Sequence, residues 1–213
     1  MDGAPPLTLT LTPSSSSPHP HPLTPLHPHP LLPSDIPLWL LIGLPGSGKS
    51  TWAEHFRQTG PAIAYISTDQ IRQQLFGSEA TQGPWAKVWQ QVRQEWQSAI
   101  QQTQQGQLSG ALYDATNVQR RGRRQVIKTA QAIGFTRVIA IWLDVPLTEC
   151  LQRNQKRSRQ VPTAVIQAMA RQLSGAPPHS SEGFDAVYRL CPEPLTDPER
   201  PLLSEGERQV EGQ

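Results

Sequence analysis

Leu38-Trp39-Leu40-Leu41-Ile42-Gly43-Leu44-Pro45-Gly46-Ser47-Gly48-Lys49-Ser50-Thr51 decides how this chain is read. The first five residues are apolar without a gap. The run is too short for a buried helix and lacks the alternation of a half-solvated strand, so it predicts a strand covered on both faces. Gly43, Gly46 and Gly48 then end the strand in a turn whose bare backbone can approach another group closely. Past Ser50 the chain reads as a helix through about Gln58. The order matters as much as the residues. Successive N–H groups of such a turn converge on one point, and the positive end of the following helix dipole faces it.

Gly43 to Ser50 match G-x-x-x-x-G-K-[ST] without a mismatch. This spacing predicts a cradle for the phosphates of ATP, built from Gly43, Pro45, Gly46, Ser47, Gly48, Lys49, Ser50 and Thr51. Lys49 is expected to reach the β- and γ-phosphates, and the Ser50 hydroxyl to ligate Mg2+. The loop specifies a nucleotide rather than a reaction, since hydrolases, switches and kinases share it.

Outward from the loop, strands and helices alternate. Ala62 to Ile66 reads as a second strand, leading through Ser67-Thr68-Asp69 into a short helix that ends near Gly77. A long helix is expected from Pro84 to Gln105, where Trp85, Trp89, Val92, Trp96 and Ile100 recur at three and four residues as a core stripe. Trp85 is counted with that core rather than as a stacking surface for a base. A third strand, Gly110 to Tyr113, ends at Asp114, and a helix follows from Gln119 to Ile133. A fourth strand, Arg137 to Leu143, ends at Asp144; a helix from Pro146 runs into the basic segment Arg153 to Arg159. The last helix covers Pro162 to Leu173 and the last strand Ala186 to Leu190. Alternation with continuously apolar strands predicts an α/β domain of three layers, the P-loop NTPase fold. Its mostly parallel sheet has about five strands, a short lid follows, and ligands sit at the carboxyl ends of the strands.

Composition bounds the domain. Residues 1–36 are dominated by Pro, Ser, Thr and His, and proline withholds backbone donors, so a disordered, partly polyproline arm is expected there. The domain is expected over 37–191, and an acidic, proline-broken tail over 192–213. Net charge is only +2, yet residues 38–191 carry 17 Lys and Arg against 9 Asp and Glu, a balance suited to a polyanionic ligand. No stretch approaches the ~18 apolar residues of a membrane span, and the arm lacks a secretory pattern, so a soluble cytoplasmic protein is expected. Cys150 and Cys191 form neither a disulfide framework nor a metal-ligand spacing.

Candidate chemistry gathers after the strands. Asp69 stands where a carboxylate can accept a proton from an acceptor hydroxyl, its other role being that of a cap or first-turn residue. Arg72, one turn along, suits an acceptor phosphate or an exposed helix face. Asp114 serves either the magnesium site or the structure of neighbouring turns; with Thr116 and Asn117 it joins Arg72 on the substrate side. Arg120, Arg121, Arg123 and Arg124 suit a phosphodiester backbone or a solvated basic face. Arg153 and Arg157, four apart, are expected to share a helical face over the phosphates and neutralise the transferred group.

With these residues in place, the chain resembles the kinase domain of phage-type polynucleotide 5′-hydroxyl kinases and their bacterial zeta-toxin-like and AAA-type P-loop relatives. GLPGSGKST, STDQIRQQLF, DATNVQRRGRR and DVPLTECLQRNQKRSRQVP carry the likeness, which spans about Leu38 to Tyr188. It implies an ATP-dependent phosphotransferase in which Lys49 and Ser50 serve nucleotide and metal. Asp69 would be the general base, Arg72 would contact the acceptor phosphate, and Arg153 and Arg157 would be lid arginines. Gln70 replaces the family's second acid after the base, and Asp-Thr-Asn becomes Asp114-Ala115-Thr116-Asn117. A polynucleotide 5′-OH is the foremost acceptor; small molecules, sugar nucleotides and tRNA are the alternatives within the kinase class. A nucleotide-dependent switch or scaffold is the reading from another class.

Overall fold

The computed structural model describes residues 32, 34–79, 81 and 83–191. The tail 192–213, and the arm but for a few residues at its end, lie outside the described residues. The elements run β1 (Pro37–Ile42), α1 (Lys49–Thr59), β2 (Ala64–Ser67), α2 (Thr68–Phe76), α3 (Trp85–Gln104), β3 (Ala111–Asp114) and α4 (Arg120–Ile133). They continue with β4 (Arg137–Leu143), α5 (Leu147–Gln155), α6 (Thr163–Gly175), a 3-10 turn (Ser180–Glu182) and β5 (Ala186–Leu190).

The strand order is β2-β3-β1-β4-β5, and every pairing is parallel. β1 lies at the centre, Leu40 standing beside Tyr113 on one side and Ala140 on the other. Because its residues alternate between faces, Leu38, Leu40 and Ile42 pack with Ile71, Val88, Val92, Trp96, Val126 and Ile166. Trp39 and Leu41 instead pack with Ala53 of α1, beside Trp52 and Phe56. Right-handed crossovers explain the division: the step from β1 to β2 runs one way along the sheet and every later step the other way. α1 therefore covers one face and α2 to α6 the other. Each fully buried leucine of β1 contributes about 1.5–3 kcal/mol. The order reverses at β1, so its carboxyl end opens into the crevice where α/β folds bind ligands.

Two expectations are corrected here. The buried residues of α3 are Val88, Val92, Trp96, Ala99 and Ile100, while Trp85 is 51% exposed. Trp85 shares the helical face of Val92, but as the first residue of the helix it overhangs the layer its face packs on. The second correction concerns α5, which stops at Gln155. Arg157 therefore lies in the turn beyond the helix and does not share a helical face with Arg153.

Candidate active site

The loop between β1 and α1 closes around its own lysine. Lys49 Nζ donates to the carbonyls of Gly43 at 2.9 Å and Leu44 at 2.8 Å, and the residue is only 8% exposed. Burial pushes its pKa down to about 8, against the pull of Asp114. Gly48 caps α1 at φ 91° without a side-chain hydrogen bond, so the first N–H groups of the helix keep no such partner. A Cβ on Gly48 would meet nothing within 4 Å. Ser47 Oγ is buried without a hydrogen-bond partner. Gly46 is different: at φ 84°, its Cβ would come 2.3 Å from the Cys150 carbonyl, so the loop is pressed against α5. A donor-lined hollow with an orphaned hydroxyl suits the phosphates of ATP.

The turn after β3 braces this loop. Gly43 N–H donates to the Thr116 carbonyl at 3.1 Å, and Asn117 Nδ2 donates to the Leu41 carbonyl at 2.7 Å from a left-handed backbone, φ 49°. Thr116 and Asn117, expected on the substrate side, thus hold the end of β1 in place.

Asp114 ties the loop to the sheet. Its Oδ2 accepts from the Ser50 hydroxyl at 3.4 Å and from Tyr65 at 2.7 Å. One bond reaches the first turn of α1; the other anchors the carboxylate to β2. Burial raises the Asp114 carboxyl above its usual range, opposed by the Tyr65 hydrogen bond and Lys49. Among the described residues no three His, Cys, Asp or Glu side chains gather into a metal cage. An isolated Ser50–Asp114 oxygen pair instead suits a hard cation that takes most of its coordination from phosphate and water.

Asp69 is free of capping duty. Ser67 caps α2 by accepting from Gln70 N–H at 3.5 Å, so Asp69 occupies the first turn with its side chain 48% exposed. It pairs with Arg72 at 2.9 Å and Arg159 at 3.8 Å. Arg72 is mostly covered, and its Nε is buried without a partner. Beyond α5, Arg157 N–H donates to the Asn154 carbonyl at 3.2 Å. The buried Asn154 side chain clasps the segment at both main-chain groups of Val161, at 2.9 Å and 3.0 Å. Arg153 pairs with Glu149 at 2.8 Å. Asp114 accepts from Ser50 of the loop and, through its carbonyl, from the Thr68 hydroxyl at 3.4 Å, which sets the loop and the start of α2 side by side.

Some partners had no signal in the sequence. Arg159 was one basic residue in a run, and only the return of that run over α2 brings it to Asp69 and, at 3.4 Å, Glu79. Tyr65 reads as an ordinary strand aromatic until β2 lies beside β3. Arg123 is the clearest departure. Neither solvated nor free for a phosphodiester, it is fully buried and meets Glu182 through Nε at 2.8 Å and Nη2 at 2.6 Å. Its remaining hydrogens go to the carbonyls of Asn117 at 3.3 Å, Val118 at 2.9 Å and Ala176 at 2.7 Å. Arg120, Arg121 and Arg124 do face outward, lining an open groove of about 480 Å³ with Gln125 and Lys128.

A parallel sheet ordered around a Gly-rich loop that cradles a lysine and opens toward a helix N-terminus defines a P-loop nucleotide-binding domain of the kinase fold. The chain belongs to the AAA domain family, whose model matches residues 38–176. A chain of the Pnkp1/Rnl/Hen1 RNA repair complex superposes with a TM-score of 0.58 at 23% identity, over 78% of this chain and 50% of that one. The present chain therefore spans half the length of that relative. A sugar kinase from Janibacter sp. aligns with a TM-score of 0.48 at 18% identity, over 74% of this chain and 85% of its own. APS kinase CysC of Mycobacterium tuberculosis, solved with AMPPNP and APS, aligns at 0.47 and 21% identity, over 75% and 90%. The superposition on the repair-complex chain is a likeness of fold. No described helix is long and apolar enough to cross a membrane.

Proposed function

We propose that the chain is an ATP-dependent kinase that transfers the γ-phosphoryl group to a hydroxyl, foremost the 5′-OH of a polynucleotide, with residues 37–191 as its catalytic unit. The observation that carries the proposal is that Asp114 links the loop to the start of α2: its carboxylate accepts from Ser50 at 3.4 Å and its carbonyl from Thr68, the neighbour of Asp69, at 3.4 Å. A hydrolase needs the loop and a positioned water; a kinase needs in addition a base facing an open acceptor side. Asp69 provides one, half-exposed at the start of α2 with arginines on either hand.

Backbone N–H groups of Gly46 to Ser50 and the Lys49 ammonium hold the β- and γ-phosphates, Lys49 giving up its loop carbonyls to do so. Asp69 takes the proton of the acceptor hydroxyl as its oxygen attacks the γ-phosphorus in line. The bond from that phosphorus to the β–γ bridging oxygen breaks, releasing ADP and a phosphate ester. Mg2+, when held by the Ser50 hydroxyl, would neutralise phosphate charge. Asp114 orients that hydroxyl or a water beside it. Arg153 and Arg157 would serve the transferred group, where a guanidinium matches several oxygens at once. Arg72, already on Asp69, is the near cation for an acceptor phosphate. The basic balance of residues 38–191 favours a polyanionic acceptor over a neutral one. Both described cysteines are free, which suits the cytoplasmic setting proposed for the enzyme.

The test is transfer from γ-labelled ATP to 5′-OH oligonucleotides and to small hydroxyl compounds. Labelled oligonucleotide is expected, and Asp69→Asn should abolish the label while ATP still binds. Label confined to small acceptors would overturn the polynucleotide assignment, and undiminished transfer by the variant would remove Asp69 as the base.

A further inference from the structure

The acceptor side of the cleft carries an aromatic surface that the phosphoryl-transfer chemistry does not use. Trp85, at the start of α3, leaves 51% of its surface open, although an indole is among the most rewarding side chains to bury. Single exposed hydrophobics are ordinary and by themselves mean little. Trp85 differs in how it is held. Its ring lies nearly parallel to that of Trp89, centroids 6.1 Å apart at 19°. Trp89 meets the fully buried Trp96 edge-on at 5.4 Å, and Trp96 in turn meets Tyr113 of β3 at 5.4 Å and Phe135 at 5.9 Å. The exposed indole is the outer end of an aromatic chain rooted in the core, so its orientation is set before any ligand arrives. Its second link is to the chemistry: Arg72 lies 5.8 Å from the Trp85 ring centroid while bonding Asp69 at 2.9 Å. Two contacts therefore join a fixed, half-exposed indole to the proposed base.

We propose that Trp85 is a nucleobase-binding subsite: a base at the 5′ end of the acceptor stacks on the open part of the indole, a neighbouring phosphate lies on Arg72, and the 5′-hydroxyl is presented to Asp69. This rests on the polynucleotide reading and deepens it. A flat, sequence-tolerant platform beside a guanidinium is the arrangement by which single-stranded ends are gripped through π-faces and phosphates rather than through base edges. The subsite also gives the enzyme a means of favouring nucleotides over simple alcohols, since a small polyol has no π-face to stack.

Initial rates against a 5′-OH oligonucleotide, and against the same oligonucleotide with an abasic 5′-terminal sugar, test this in the full chain. Wild type is expected to show a KM for the abasic acceptor about tenfold or more above that for the intact one. Trp85→Ala should raise the KM for the intact acceptor by a similar factor and leave the abasic one little changed, whereas Trp85→Phe, which keeps a π-face, should shift it only about two- to threefold. Thermal unfolding of each variant checks that the fold is kept. Equal KM values for intact and abasic acceptors in wild type, or an unshifted KM in a folded Trp85→Ala, overturn the subsite while the kinase reading stands. If wild type labels no oligonucleotide at all, the acceptor assignment fails and the subsite falls with it.

Discussion

Raising the pH from about 7 to about 9.5 should loosen the grip on ATP through one buried ammonium. Lys49 is shut into its loop, 8% exposed, with the Gly43 and Leu44 carbonyls as acceptors at 2.9 Å and 2.8 Å. Burial is the dominant influence and brings its pKa to about 8; Asp114 and Asp69 pull it up, and Arg157 pushes it further down. Incoming phosphates favour the ammonium, so in the complex the proton is held to higher pH. The sign follows: the free protein loses the proton through about pH 8 and the complex does not, so affinity is full below pH 8 and falls above it. Half the free protein is charged at pH 8 and about one eleventh at pH 9, so Kd should rise about twofold and then about tenfold over its low-pH value. Cys150, pushed up to about 11 by burial, stays a thiol across this window. Calorimetry in two buffers of unlike ionisation enthalpy should show uptake of about half a proton per ATP at pH 8. Lys49→Ala should bind weakly and without this pH dependence. A Kd that stays flat across the window, or an uptake near zero, would refute the reasoning.

Two further predictions concern the frame around the site. Arg123→Met leaves the Glu182 carboxylate buried without its partner and should destabilise the fold by about 3–5 kcal/mol in urea titration, with Glu182→Leu restoring part of the loss in the double variant; a deficit below about 1 kcal/mol would contradict the burial. Gly46→Ala places a methyl 2.3 Å from the Cys150 carbonyl, a backbone atom that cannot swing aside, and should weaken ATP binding far more than Gly48→Ala, whose Cβ meets open space and carries only about 1–2 kcal/mol of left-handed strain. Fluorescent-nucleotide titration of both variants decides it, and equal losses would count against the close packing of loop on α5.

The proposed site comes together because three separate strands end at one edge. β1 supplies the loop, β2 leads into Asp69, and β3 ends at Asp114, and their parallel registers set the three carboxyl ends side by side. α5 is held by the same loop, since Gly46 lies against the Cys150 carbonyl.

What could be read along the chain was what local physics controls. The apolar runs at Leu38–Ile42 and Arg137–Leu143 marked strands buried on both faces, and the glycines of 43–48 marked a backbone that must turn and stay bare. Element order and the phosphate loop followed, because each depends on neighbours a few residues away. Asp69 stands out as a candidate by its place just after a strand, and Arg153 and Arg157 by the acid-free basic segment they share. Tertiary structure alone decided the rest. Arg123 looked like its neighbours Arg121 and Arg124, yet its position on α4 turns it inward to Glu182, 59 residues away. Trp85 had the phase of a core residue, but phase says nothing of where the layer beneath a helix ends. Arg159 and Tyr65 acquire their carboxylate partners only through segments far apart in sequence. Periodicity records which side of an element is apolar; what that side meets depends on how the elements are laid across the sheet, and this is settled only when the whole chain packs.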